Sequence, residues 1–361
     1  MPSVCVYAIC KNESQFVDRW MDSMREADWV VVLDTGSTDD TVEKLQKRGA
    51  TVVTEEIQPW RFDTARNRSL SLVPEEADIC VCTDLDEVLH PGWRKELEAH
   101  WHDGVGQVQY RYTWSFREDG QEGVVFWYEK IHARHGYRWV HPVHEVLEWV
   151  GEGPEGEKIL IPTIQLDHHP DPKKSRAQYL PLLELAHQEQ PENDRCAHYL
   201  GREYFFHRRY QDAIVTLIAH LNLKTAVWRD ERAASMRYIA RSYAQLGQFR
   251  EAKTWFLRAV AEAPHLREPL VEFAFFLYEQ EEWEWVIALC LSAIAIQERP
   301  KSYICEAEAW GSLPFDLCSQ GYYHTGQYVK ALYMAQKALE QEPTVERLQN
   351  NVEVLSNLCA S

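Results

Sequence analysis

The stretch YAQLGQFREAKTWFLRAVAEAP (243–264) returns as YYHTGQYVKALYMAQKALEQEP (322–343). Gly247 and Gly326, Ala252 and Ala331, Ala259 and Ala338, and Pro264 and Pro343 all stand at one offset of 79 residues. Self-similarity of this kind means that one supersecondary unit recurs, and that each copy buries its apolar face by stacking on the next. The small residues allow two helices to approach closely, and the proline ends the second of them. Weaker copies lie at FFHRRYQDAIVTLIAHL (205–221) and LYEQEEWEWVIALCLSAIAI (277–296). The spacing is irregular, so insertions separate the copies. From about Lys173 onward everything reads as helix, and a plain helical bundle is the simpler alternative.

The first half follows different rules. SVCVYAIC (3–10), WVVVLD (29–34), ATVVTEE (50–56) and ADICVCTD (77–84) read as short buried strands. Helical stretches from Ser14 to about Ala27, from the TGSTDDT turn through Arg48, and from about Phe62 to Leu72 separate them. Strands alternating with helices imply a parallel sheet that binds ligands beyond the carboxyl ends of its strands, where Asp34 and Asp84 fall. After Trp93 the pattern changes. GQVQYRYTWSF (106–116) and GVVFWYEKIHARH (123–135) have the period-two alternation of longer antiparallel strands. Residues 132–169 then hold His132, His135, His141, His144, His168 and His169, six of the fifteen histidines.

The 361 residues suffice for two or more domains, each with its own core. A net charge of −18 argues against a general grip on nucleic acid, although DPKKSR (171–176) is a small basic patch. The nine cysteines include no C-x-x-C pair, and Cys5, Cys10, Cys80 and Cys82 lie in strand-like runs, as reduced core cysteines of a cytoplasmic protein would. The N-terminus lacks the features of a signal peptide, and no apolar run approaches the length of a membrane span.

VCTDLDEVL (81–89) places Asp84, Asp86 and Glu87 at the end of an apolar run. Like charges this close need a positive partner or open solvent. In extended chain, Asp84 and Asp86 project together while Leu85 turns back to the core. Two convergent carboxylates suit a hard divalent cation, Mg²⁺ or Mn²⁺, which in turn binds phosphate oxygens.

CKNE (10–13), LDTGSTDDT (33–41), FDTARNRSL (62–70) and DLDE (84–87) occur in that order. Together they resemble the family 2 glycosyltransferases of the GT-A fold, in particular members that join this domain to tetratricopeptide repeats, which the repeats described above also resemble. VHE (143–145) and LDHH (166–169) look like those members as well. The resemblance implies an α/β GT-A domain with a Rossmann-like mixed sheet over residues 1–172. An all-α, tetratricopeptide-like domain would follow over 173–361.

It further implies a metal-dependent, inverting transfer of a sugar from a nucleotide-sugar, UDP-sugars favoured, to an acceptor hydroxyl or thiol. Asp34 would accept from the nucleobase, and Arg66 would approach base and phosphates. Asp84 would face ribose or metal, and Glu13 and Leu85 complete the nucleotide-sugar-binding set. Asp86 would ligate Mn²⁺ or Mg²⁺ with Asp84, and the family's late histidine ligand falls on His168 or His169. No plain Glu-Asp base follows the D-x-D element, so Glu145 is the expected base, with His144 as competitor. The acceptor is a peptide, protein, glycan or modified nucleobase, held by the helical repeats, which also offer a surface for homodimerisation. Two other readings compete: a tetratricopeptide adaptor carrying a relic nucleotide-binding domain, and a nucleotidyltransferase, against which CKNES lacks a glycine-rich basic phosphate loop.

Overall fold

The computed structural model describes residues 1–117, 119–171 and 177–360. Most of the basic stretch at 171–176, and with it the boundary expected after residue 172, lies outside the described residues. The chain divides into two compact units, Met1–Ala186 and His187–Ser361.

The first unit runs β1 (Val4–Cys10), α1 (Val17–Met24), β2 (Trp29–Asp34), α2 (Thr41–Lys47), β3 (Thr51–Thr54), α3 (Phe62–Leu70), β4 (Ile79–Cys82) and β5 (Glu87–Leu89). It continues through α4 (Trp93–His100), β6 (Val105–Thr113), β7 (Val125–Ala133), β8 (Tyr137–Val140), β9 (Val146–Trp149), β10 (Glu157–His168) and α5 (Tyr179–Glu189), a helix in which the unit boundary falls. Eight strands form one sheet in the order β3-β2-β1-β4-β7-β6-β10-β5, and β8 pairs with β9 separately. All seven residues of β1 are buried, as a central strand covered on both faces requires. The amphipathic α1 lays Val17, Trp20, Met21 and Met24 on the core, the i, i+3, i+4, i+7 set of one helix face.

The sheet is mixed. β1 lies parallel to β2 and β4, and β2 parallel to β3. β7 then runs antiparallel to both β4 and β6, and β5 antiparallel to β10. The chain thus leaves β1 to one side for β2 and β3, and returns on the other side for β4. That reversal opens a crevice at the carboxyl ends of β1, β2 and β4. The β10–β5 pairing sets His168 opposite Glu87, so the last strand of the sheet reaches the segment that follows β4.

The second unit consists of antiparallel hairpins. They are α6 (Asp194–Phe206) with α7 (Tyr210–Asn222), α8 (Arg229–Gln245) with α9 (Phe249–Glu262), α10 (Arg267–Tyr278) with α11 (Trp283–Ala295), and α12 (Leu313–His324) with α13 (Tyr328–Gln341), followed by α14 (Glu346–Ala360). The repeated residues of the sequence have physical roles here. Gly247 and Gly326 sit just past α8 and α12 with φ of 71° and 75°, a left-handed conformation that favours glycine. The same two closing bonds recur, Gly247 N–H to Ala244 and Gln248 N–H to Tyr243, then Gly326 N–H to Tyr323 and Gln327 N–H to Tyr322. Ala252, Ala259, Ala331 and Ala338 are fully buried at the helix contacts. A Cβ on Gly201 would lie 2.4 Å from Leu217 Cγ, so only glycine permits the α6–α7 approach. These are tetratricopeptide-like hairpins. Among the described residues no helix is long and apolar enough to cross a membrane.

Candidate active site

The loops beyond β1, β2 and β4 carry the acidic residues. Asp34 ends β2 and is fully buried. Its Oδ2 accepts from Gly36 N–H at 3.2 Å and its Oδ1 from Ser37 N–H at 3.1 Å. The carboxylate therefore holds the shape of the following loop, and its oxygens face those amides. Gly36, with φ of 105°, permits that turn. Glu13 is buried beside the same loop through its N–H, which donates to Thr41 Oγ1 at 2.9 Å.

The repulsion among the carboxylates after β4 is answered by two buried cations. Arg66, on α3, donates from Nη2 to Asp84 Oδ1 at 2.9 Å and from Nε to Glu145 Oε1. Its guanidinium lies 5.3 Å from the Trp139 ring centroid. Lys130, on β7 and 2% exposed, donates to Glu87 Oε1 at 2.7 Å, to Glu87 Oε2 at 2.8 Å and to Asp84 Oδ2 at 3.3 Å. Burial opposes both positive charges, but Asp84 with Cys82 and Glu145 for Arg66, and Asp84 with Glu87 for Lys130, outweigh it and raise both groups well above their ordinary values. The donors of Arg66 are engaged with Asp84, Glu145 and Cys82 Sγ.

Asp84 and Asp86 face different partners. Asp86 Oδ2 lies 3.4 Å from His168 Nε2, while Leu85 between the aspartates has its side chain fully buried in the core. His168 Nδ1–H donates to the Trp114 carbonyl at 2.9 Å, which turns Nε2 toward Asp86. Burial pushes the His168 imidazole down, but the Asp86 bond outweighs it and the net shift is upward. His169 differs. Its backbone N–H donates to the Asp86 carbonyl at 2.8 Å, and its ring stacks on Phe116 at 5.2 Å. Among the described residues no group of three or more His, Cys, Asp and Glu side chains is disposed to hold a metal. The Asp86–His168 pair nonetheless fits a hard cation that takes its remaining oxygens from phosphate and water.

The 141–145 loop reaches this site because α3 grips β8. Asn67 Oδ1 accepts from Trp139 N–H at 2.9 Å, its Nδ2–H donates to Trp139 O at 2.8 Å, and Phe62 N–H donates to Pro142 O at 3.0 Å. Glu145 is thereby held on Arg66. Trp149 pairs with Tyr137 at the far end of the β8–β9 hairpin. His144 has φ of 52°, and its ring packs edge-on to Tyr179 at 5.8 Å.

Lys130, Tyr112 and Asn67 escaped the sequence reading. Lys130 had a signal: in YEKIHA it shares an inward strand face with Tyr128 and His132, where an ionisable residue requires a partner. Asn67 had none, because its partner lies far along the chain.

Residues 5–145 match the family model described as Glycosyl transferase family 2. No curated protein matches the chain. Among solved structures, glucosyl-3-phosphoglycerate synthase from Mycobacterium tuberculosis, in complex with Mn²⁺, uridine diphosphate and glucosyl-3-phosphoglycerate, is 28% identical over 31% of this chain and 44% of its own, with a TM-score of 0.27. The MamA protein is 17% identical over 45% of this chain and 81% of its own, with a TM-score of 0.36. The APC/C hetero-tetramer Cut9-Hcn1 is 10% identical over 51% of this chain and 33% of its own, with a TM-score of 0.40. Residues 5–145 are thus similar to glycosyl transferase family 2, on a chain that continues into tetratricopeptide-like helical hairpins.

Proposed function

We propose that this chain transfers a sugar from a nucleotide-sugar, with UDP-sugars favoured, to an acceptor hydroxyl or thiol. The reading is supported above all by the Asp86–His168 pair, which joins the segment similar to family 2, where Asp86 adjoins the Arg66–Asp84 ion pair, to the later strand β10. Asp86 and His168 would hold Mn²⁺ or Mg²⁺, with Asp84 adjoining. When bound, the cation neutralises charge on the departing diphosphate. Asp34 and Glu13 keep the loops after β1 and β2 in the shape that frames the nucleoside. Asp84 presents its exposed edge to the ribose, and Arg66 fixes it there.

The acceptor oxygen or sulfur forms the new bond to the anomeric carbon as the bond to the diphosphate breaks, and the nucleoside diphosphate leaves. One displacement inverts the anomeric configuration. The acceptor proton passes to Glu145, whose Oε1 is held by Arg66. His144, its neighbour, is the alternative base. The helical hairpins present a peptide, protein or glycan acceptor, and they offer a surface for a homodimer. The buried thiols of Cys5, Cys10, Cys80 and Cys82 suit the reducing cytoplasm.

Calorimetric titration with UDP, in Mn²⁺ and then in excess chelator, tests the site. A panel of nucleotide-sugars, with hydrolysis followed by mass spectrometry, identifies the donor. Absence of both metal-dependent nucleotide binding and donor hydrolysis refutes the proposal.

A further inference from the structure

Carboxylates and cations alternate along one connected series: Glu145, Arg66, Asp84, Lys130, Glu87. Lys130 is its pivot. Its ammonium donates to three carboxylate oxygens, two on Glu87 and one on Asp84. Glu87 in turn closes the segment after β4: its Oε2 accepts from Asp84 N–H at 2.9 Å and its Oε1 from Tyr112 O–H at 2.9 Å. Asp86 rides on that closed segment and meets His168. At 2% exposure, beneath the Tyr128 ring at 5.2 Å, Lys130 is out of reach of a ligand in the crevice.

We propose that Lys130 is a positioning residue for the donor site, holding Asp84 and, through Glu87, the turn that carries Asp86 in the geometry that receives a nucleotide diphosphate and its cation. The inference rests on reading the site as a nucleotide-sugar site. Without the ammonium, Glu87 and Asp84 repel at short range in a poorly solvated setting, and the contact between Glu87 and the Asp84 amide opens. A Lys→Met change alone conflates that loss with instability. Lys130→Met combined with Glu87→Gln removes one charge of each sign, keeps an acceptor oxygen for Asp84 N–H with an amide that can donate to Tyr112 Oη, and leaves Asp84 without its second cation.

The test uses the full chain, with UDP and MnCl₂ as probes. Wild type must bind UDP in a Mn²⁺-dependent manner; if it does not, the proposed function fails, and this is read separately from the variants. We expect Lys130→Met to weaken UDP affinity by about tenfold to a hundredfold, the scale of losses behind a ligating shell, and to lower the melting temperature. The double variant should recover the melting temperature and stay weak for UDP. Recovery of both by the double variant, or wild-type UDP affinity in folded Lys130→Met, overturns the inference.

Discussion

Arg66 ties Asp84 to Glu145: one guanidinium donates from Nη2 to Asp84 at 2.9 Å and from Nε to Glu145. The two carboxylates lie 61 positions apart in the chain and belong to different loops. Removing the guanidinium leaves both without their shared partner in a site that is 7% exposed at Arg66. Arg66→Met should therefore cost about 3–5 kcal/mol of stability, because the partners of a broken buried pair remain charged. Denaturant unfolding measures it, and a loss below 1 kcal/mol would contradict the burial argument.

The two adjacent histidines should behave differently. His168→Ala removes the imidazole that faces Asp86, whereas His169→Ala removes a ring stacked on Phe116 and leaves its backbone bond to Asp86 intact. We expect His168→Ala and Asp86→Asn to weaken Mn²⁺-dependent UDP binding by about tenfold or more, and His169→Ala to change it little. Calorimetry with UDP and Mn²⁺ reads all three. Equal losses at His168 and His169 would remove the distinction.

Glu145→Gln keeps the shape and the acceptor for Arg66 but cannot take a proton. Its kcat should fall by about a hundredfold or more while UDP affinity stays near wild type. A near-normal kcat in Glu145→Gln, together with a collapse in His144→Ala, would transfer the role of base to His144.

A buried relay gives a pH dependence unrelated to the transfer. Trp139 Nε1–H donates to Tyr7 Oη at 2.8 Å, Tyr7 O–H donates to His132 Nε2 at 2.8 Å, and His132 Nδ1–H donates to the Ala133 carbonyl at 2.8 Å. Both ring nitrogens are used by the neutral form, and burial pushes His132 down to about 4 from an ordinary 6.5. The unfolded chain then binds the proton more readily than the folded one between those values. Stability is complete above pH 6.5 and falls as the pH drops toward 4, by about 3 kcal/mol from this group. His132→Gln should flatten that part of the stability curve measured by denaturant unfolding between pH 7 and 4. An unchanged slope would show that His132 is not the titrating group.

The helical unit has a core of its own, built on Phe256, Phe273, Leu277 and Val286. A protein ending at residue 186 should keep slow hydrolysis of the donor and lose transfer to the true acceptor. Normal transfer by the truncated protein would assign the hairpins another task.

The local rules of the chain were readable in the sequence. The strand pattern through Cys82, the helix from Phe62 and the recurring glycines and alanines of the second half follow from periodicity and backbone preference, which act over a few residues. Gly247 and Gly326 needed positive φ wherever the hairpins lay. The crowding of Asp84, Asp86 and Glu87 likewise announced that charge had to be balanced. Tertiary structure decided what balances it. Lys130 arrives because β7 inserts antiparallel between β4 and β6, and His168 because β10 pairs antiparallel with β5. Arg66 turns to Asp84 and Glu145 because Asn67, one residue further along α3, clasps Trp139. Ion pairs of this kind join residues whose separation along the chain carries no signature. Their strength comes from shared burial, and burial exists only once the strands have found their order.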